Sequence, residues 1–279
     1  MENFKQTIAN FSNQDLEVRK NWYSPAADAY NKARPRYPQN FIGQVIKLAQ
    51  LSTESKILEV GCGPATATIS FAKLVYSMLC LEPNPYFFEL AKQNCQPYSN
   101  VEIQNTSFEE WMLEANKFDA VLAASSFHWI PPEVGYPKAA NALKENGYLI
   151  LLWNKELQPN YTVYQSLSEV YQKHAPSLDR YESWERQQEI FKGFESILVD
   201  SGQFKDIQFG QVTSEVVYST DEYLTLLNTY SPYLKLEPDT KKVLFAELSE
   251  RIDHDFGGSL QLSYISAFHI GKKNKIAFI

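Results

Sequence analysis

The chain has 279 residues, 44% of them hydrophobic and 21% charged, enough to bury a core without disulfide or metal staples and too apolar to be mainly disordered. Its formal net charge of −7 leaves no basic footprint for nucleic acid. The longest unbroken apolar run, Tyr148–Trp153, is far short of the roughly 18 residues of a membrane helix.

Residues 1–14 are polar, without the apolar centre of a targeting peptide. The expectation is therefore a cytoplasmic protein, and the three cysteines, Cys62, Cys80 and Cys95, which form no CxxC pair, are read as reduced thiols. Arg34 and Arg36 flank a proline, so their segment is extended. Lys56–Val60 reads as a strand that ends in Gly61-Cys-Gly63, and Ala65–Leu74 as the helix after it. Val75–Leu81 is the second strand. Asn84 caps the next helix, with Pro85 in its first position, and that helix fades near Cys95. Val101–Thr106 and Phe118–Ala124 are the third and fourth strands. A helix over Pro132–Lys144 is expected to end with Gly147 as its cap, before a fifth strand, Tyr148–Trp153, that is apolar on both faces. Helices follow at Asn160–His174 and Trp184–Val199, then a long alternating strand, Phe204–Tyr218. Thr220 reads as a cap before Asp221 and Glu222, Pro238–Arg251 as a helix, and Gly257-Gly258 as a turn into a last strand, Ser259–Ile270. Strands alternating with helices of this length predict an α/β fold with a mostly parallel sheet and helices on both faces. With no repeat and no linker, residues 1–279 read as one domain.

Two glycines between a predicted strand and a predicted helix bare the backbone for a ligand. Glu82 ends the next strand, 21 residues after Gly61, where an acid can take both hydroxyls of a ribose. A dinucleotide fits less well. The third glycine of that fingerprint is replaced by Thr66, and a Glu59 carboxylate before the turn would repel a pyrophosphate. A ligand with a ribose, no phosphate and a positive end suits the pattern, and S-adenosylmethionine has those features.

On these residues the chain resembles the class I S-adenosylmethionine-dependent methyltransferases, in particular the small-molecule branch with trans-aconitate-methyltransferase-like proteins. Glu59-Val-Gly61-Cys-Gly63-Pro-Ala65 is similar to the family's first motif, with Ala65 where glycine is frequent, which implies Glu59, Gly61 and Gly63 as cofactor contacts. Glu82 matches the ribose-binding acid, with Pro83 beside it. Thr106-Ser107-Phe108-Glu109 stands where the family contacts adenine, which implies Ser107 and Phe108. Phe118-Asp119 and Ala124-Ser125-Ser126-Phe127-His128-Trp129 resemble the fourth-strand motif, and add Ser125 and Phe127 to the cofactor contacts. Tyr30-Asn-Lys-Ala-Arg34-Pro-Arg36-Tyr37-Pro38 is similar to the segment that folds over the cofactor. The resemblance implies a Rossmann-like seven-stranded sheet with an antiparallel last strand. It also implies a cap over 1–39, a cofactor core over about 40–155, and helices over about 156–255 that form a lid with the closing strand. The expected activity is methyl transfer to a small-molecule acceptor, with a carboxylate among the candidates and neither nucleic acid nor membrane as partner, by a monomer or homodimer.

His128 follows the fourth strand, where catalytic groups project from an open parallel sheet, and is the candidate base; packing against the cofactor is its plainer role. Arg34 can hold a carboxylate through its planar fork, while Arg36 reads as solvated. Tyr30 can cover the cofactor. Trp153, Tyr164, Trp184, Tyr230 and Tyr233 can line an acceptor pocket or fill the core. Asp253-His254-Asp255 reads as a polar helix end, not a metal site, because adjacent residues do not converge on one ion. Lys272, Lys273 and Lys275 read as a solvated tail. Two rival readings remain, a cofactor-binding sensor without transferase activity and an NAD(P)-dependent oxidoreductase.

Overall fold

The computed structural model describes residues 2–74 and 77–274. Its centre is a sheet of eight strands, β1 (Lys56–Val60), β2 (Ser77–Leu81), β3 (Val101–Gln104), β4 (Phe118–Ala124), β5 (Leu143–Asn154), β6 (Gln158–Pro159), β7 (Phe204–Ser219) and β8 (Ser259–Lys273). The order is β3-β2-β1-β4-β5-β8, with β1 to β5 mutually parallel and β8 antiparallel to β5. The long β7 pairs antiparallel along the free edge of β8. Seven strands match the expectation. The eighth, β6, is two residues that continue the β5 edge against Leu262 and Ser263, after the Lys155 amide has already bonded Ile265. A two-residue strand has no period to detect.

Around the sheet lie α1 (Glu2–Ser12), α2 (Leu16–Asn21), α3 (Ala27–Ala33), α4 (Gln39–Leu48), α5 (Thr68–Ala72), α6 (Pro85–Cys95), α7 (Pro132–Ala142), α8 (Tyr161–His174), α9 (Trp184–Asp200), α10 (Thr220–Leu227), α11 (Ser231–Leu234) and α12 (Pro238–Phe256). Successive residues of a strand point to opposite faces. Leu58 and Val60 therefore enter one core, with residues of α1, α7 and α9, while Ile57 enters the other, with residues of α4 and α5. A third core joins α8, α10 and α12 to Leu260, Leu262 and Tyr264 of β8 and to Ala33 of the N-terminal cap.

Several local expectations change. The first crossover helix begins at Thr68, not Ala65, because Gly63 and Ala65 hold positive φ of 57° and 66°. Gly147 does not cap α7, which ends at Ala142 with Leu143 already extended. It lies inside β5, where a Cβ would come within 2.9 Å of Leu143 and 3.0 Å of the Asp119 carbonyl, so close packing explains the glycine. Ser219, one residue before Thr220, caps α10 and shares a capping box with Glu222. The α12 helix runs on to Phe256 and ends on Gly257 in the left-handed region. Residues 75 and 76, placed in the second strand, and Lys275 of the basic tail lie outside the described residues.

Candidate active site

The carboxyl ends of β1, β2, β4 and β5 border a cleft of about 640 Å³, at the point where the strand order reverses between β1 and β4. Crevices at that point hold ligands in open α/β sheets. Gly61, with φ of 66°, faces Ser126, whose Cβ would lie 2.8 Å from a Cβ added there. The Ser126 hydroxyl donates to the Val60 carbonyl and so ties β4 to the turn. Gly63, with φ of 57°, has nothing within 4 Å of the corresponding position and is open to the cleft. The amides of Gly61 and Cys62 donate to the Leu81 carbonyl at 2.9 and 3.1 Å, and that of Ala65 to Cys62 at 3.1 Å. The Gly63 amide donates to Glu82 Oε2 at 2.7 Å, and Pro64 has no N–H. No amide from Gly61 to Ala65 is left for a pyrophosphate.

Glu82 is buried at the end of β2, with Oε1 accepting from the Asn84 amide at 2.8 Å. Burial pushes its carboxyl up to about 7, against the pull of the Asn84 and Gly63 amides. Ser107 and Phe108 face the same cleft. The Ser107 hydroxyl donates to Glu110 at 2.9 Å and accepts from the Glu110 amide at 3.2 Å. Ser125 holds a left-handed φ of 55° at the end of β4, a strained conformation of a kind found at functional sites.

Two expected contacts stand elsewhere. Glu59 shares the Ile57 face of β1, so its side chain points beneath the turn toward α5. It accepts from the Thr68 hydroxyl at 2.7 Å and is completely buried, outside the cleft lining. Burial pushes its carboxyl up to about 7, and Oε1 has no partner among the described residues. The expected repulsion of a pyrophosphate by Glu59 therefore loses its premise; the engaged amides take its place. Phe127 is turned into the core against Tyr136, ring centroids 5.0 Å apart. Tyr30, Arg34, Gly61, Gly63, Glu82, Pro83, Ser107, Phe108, Ser125 and His128 all line the cleft.

His128 sits on the short 3-10 turn after β4, among the rings of Trp129, Trp153 and Phe194, 5.6 to 6.2 Å away. Burial lowers its imidazole to about 4, and Nδ1 is buried without a partner among the described residues. The ring is neutral near pH 7 and a weak base. Of the other aromatics, Trp153 and Tyr230 line the cleft, Trp184 is exposed, and Tyr164 and Tyr233 pack away from it.

Residues between Phe11 and Tyr37 line one side of the cleft. Arg19 of α2 donates to Glu109 at 2.7 Å and to the Trp129 carbonyl at 2.5 Å. Asn84 reaches back to the Lys20 carbonyl and the Ser24 hydroxyl, both at 2.8 Å. Arg34 donates to the Thr229 hydroxyl and carbonyl at 2.8 and 2.9 Å, and lies over the rings of Tyr30 and Tyr230. Arg36 is exposed, as expected, yet bonds Thr66 and Asn31. The Asp253–Asp255 acids serve the end of α12, Asp253 accepting from Thr220 and Asp255 facing Arg251. Among the described residues no group of three or more metal-ligating side chains converges, and no helix is long and apolar enough to cross a membrane.

Residues 58–151 match the model of a methyltransferase domain. An uncharacterised methyltransferase of Mycobacterium tuberculosis is 28% identical over 132 residues, and that match spans about half (51%) of the relative's length. An uncharacterised methyltransferase-like protein of Schizosaccharomyces pombe is 27% identical over 234 residues, 83% of this chain and 85% of the relative. Among solved structures, a candidate type II methyltransferase from Anaeromyxobacter dehalogenans has a TM-score of 0.64 at 16% identity, covering 86% of this chain and 97% of its own. A Haemonchus contortus phosphoethanolamine N-methyltransferase, solved with phosphomonomethylethanolamine and S-adenosylhomocysteine, has a TM-score of 0.52 at 14% identity, covering 94% of this chain and 60% of its own. Residues 58–151 thus match a methyltransferase domain, and the fold around them is one that methyltransferase structures share.

Proposed function

We propose that the chain is a class I S-adenosylmethionine-dependent methyltransferase, which binds its cofactor in the cleft and transfers the methyl group to a small-molecule acceptor. The observation that carries the reading is the glycine turn. Its open face at Gly63 meets the buried Glu82 carboxylate, while every amide from Gly61 to Ala65 is already bonded. That suits a ribose and a phosphate-free ligand, and is a poor cradle for a dinucleotide.

When bound, the cofactor supplies a methyl group already activated on a positive sulfur. Glu82, with lone pairs left on both oxygens, would accept from the ribose hydroxyls. Ser107 and Phe108 would meet the adenine. Arg34, held in place by Thr229 and two tyrosine rings, would face the amino-acid end, with Tyr30 as its cover. His128 would place the acceptor; its lowered proton affinity makes a base role poor. The remaining task is to hold acceptor and methyl in line and away from water, which the cap and the aromatic side of the cleft can do. A cytoplasmic setting is part of the same reading, since all three cysteines are free and buried.

S-adenosylhomocysteine is expected to raise the melting temperature, because a ligand at about 100 times its dissociation constant adds roughly 2.7 kcal/mol to the folded state. NADH is expected to leave it unchanged. A shift with NADH alone would favour the oxidoreductase. Binding of S-adenosylhomocysteine without methylation across a broad acceptor panel would favour the sensor.

A further inference from the structure

Beyond β4 and β5 the cleft has an aromatic wall. Trp153 and Phe194 stack with centroids 3.8 Å apart and planes 8° from parallel. His128 is tilted by 45° to Trp153 and 53° to Phe194, and Phe11 approaches His128 at 6.5 Å and Trp129 at 5.4 Å. The indole N–H of Trp153 donates to buried His269 Nδ1 at 3.0 Å, so the one polar atom of that ring is already used. Since Nδ1 accepts, the His269 proton sits on Nε2, and the imidazole in this pair is neutral.

The cations of the cleft are mostly answered from within. Arg19 pairs with Glu109, Lys20 with Glu17 and Glu110, Lys155 with Glu182, and Arg180 with Glu156, at 2.7 to 2.9 Å. Arg34 and Lys235 make no ion pair among the described residues. Arg34 is committed to Thr229 and, in the reading above, to the cofactor. That leaves Lys235, which lies 4.5 Å from the centre of the Trp22 ring. A polyacid would carry charges into this cleft without counter-charges, and desolvation would oppose it.

We propose that the methyl acceptor is a flat aromatic or conjugated molecule with at most one negative charge, seated against the Trp153–Phe194 stack. This rests on the proposed function and narrows it, away from the tricarboxylate chemistry of the branch that the sequence resembles.

Calorimetry with cinnamate, a conjugated mono-acid, and citrate, a tri-acid, tests it on the protein saturated with S-adenosylhomocysteine and on the free protein. Cinnamate is expected to bind and citrate to bind at least about tenfold more weakly. Phe194→Ala should weaken cinnamate about fivefold, the scale of one ring–ring contact, and leave S-adenosylhomocysteine affinity unchanged. Phe194→Leu keeps the packing against Phe4 and repeats the test if the alanine variant does not fold. Absence of cinnamate binding, citrate as tight as cinnamate, or an unchanged cinnamate affinity in a folded Phe194 variant overturns the proposal. Failure of S-adenosylhomocysteine to bind the wild type would overturn the proposed function instead, and the free-protein arm still decides on the wall.

Discussion

Ala65 is completely buried and holds a φ of 66°, a conformation that costs an L-residue roughly 1–2 kcal/mol. Glycine there would lift that strain and loosen the unfolded chain, a cost of about 0.5–1 kcal/mol. Ala65→Gly is thus expected to stabilise by about 0.5–1 kcal/mol, measured by urea unfolding. A loss of stability would mean that the packing of the buried methyl outweighs the backbone strain. The two buried histidines give a second expectation. Burial lowers both His128 and His269 to about 4. An NMR titration should therefore find two of the four imidazoles neutral down to about pH 5. Titration of His128 near pH 6.5 would restore it as a candidate base. At this scale the place of Glu82 against the glycine turn was legible, because spacing from a glycine turn is a local property. Glu59 was misjudged because strand alternation, not proximity to the turn, decides which way its side chain points.

Among the elements, the cap depends on α2. Arg19 bonds one residue of the Ser107–Glu110 loop and one carbonyl of the His128 turn, so a single guanidinium joins the cap to both halves of the cleft. Both groups are largely buried. Arg19→Met keeps the stem but leaves Glu109 and the Trp129 carbonyl unmatched, at a cost of about 1–3 kcal/mol. The expected result is a folded protein whose cap is cut faster by a protease and whose S-adenosylhomocysteine affinity falls several-fold. Unchanged proteolysis would show that the cap is held by its other contacts. Nothing in the sequence pointed to Arg19, since its partners are 90 and 110 residues away. The alternating β7 and the Asn84-Pro85 start of α6 could be read, since each is a pattern within one element. Gly147 deceived because a glycine after a helix reads as a cap, whereas its real constraint, the Asp119 carbonyl of β4, is a neighbour in space alone.

For the whole molecule, the buried titratable groups oppose one another. Glu59 and Glu82 are raised from 4.5 to about 7, so the folded state holds protons that the unfolded state has lost, and stability falls as pH rises across that window. His128 and His269 are lowered from 6.5 to about 4, so their contribution rises with pH between those values. The four offset one another between about pH 4.5 and 6.5, and the acids alone act just above it. Glu59→Gln removes one acid. Relative to wild type, the variant should gain stability from pH 5 to 8, on the order of 2 kcal/mol, and gain nothing near pH 4. A difference independent of pH would mean that Glu59 is ionised throughout, with a partner to hold its charge.

The central claim, that Glu82 and the glycine turn hold the ribose of an S-adenosyl ligand, is tested most directly by calorimetric titration with S-adenosylhomocysteine. Wild type is expected to bind one equivalent. Glu82→Ala should stay folded and bind more weakly by about 1.5–3 kcal/mol, the scale of a hydrogen bond to a charged group. Wild-type affinity in the folded Glu82→Ala variant, or no binding to wild type, would contradict it.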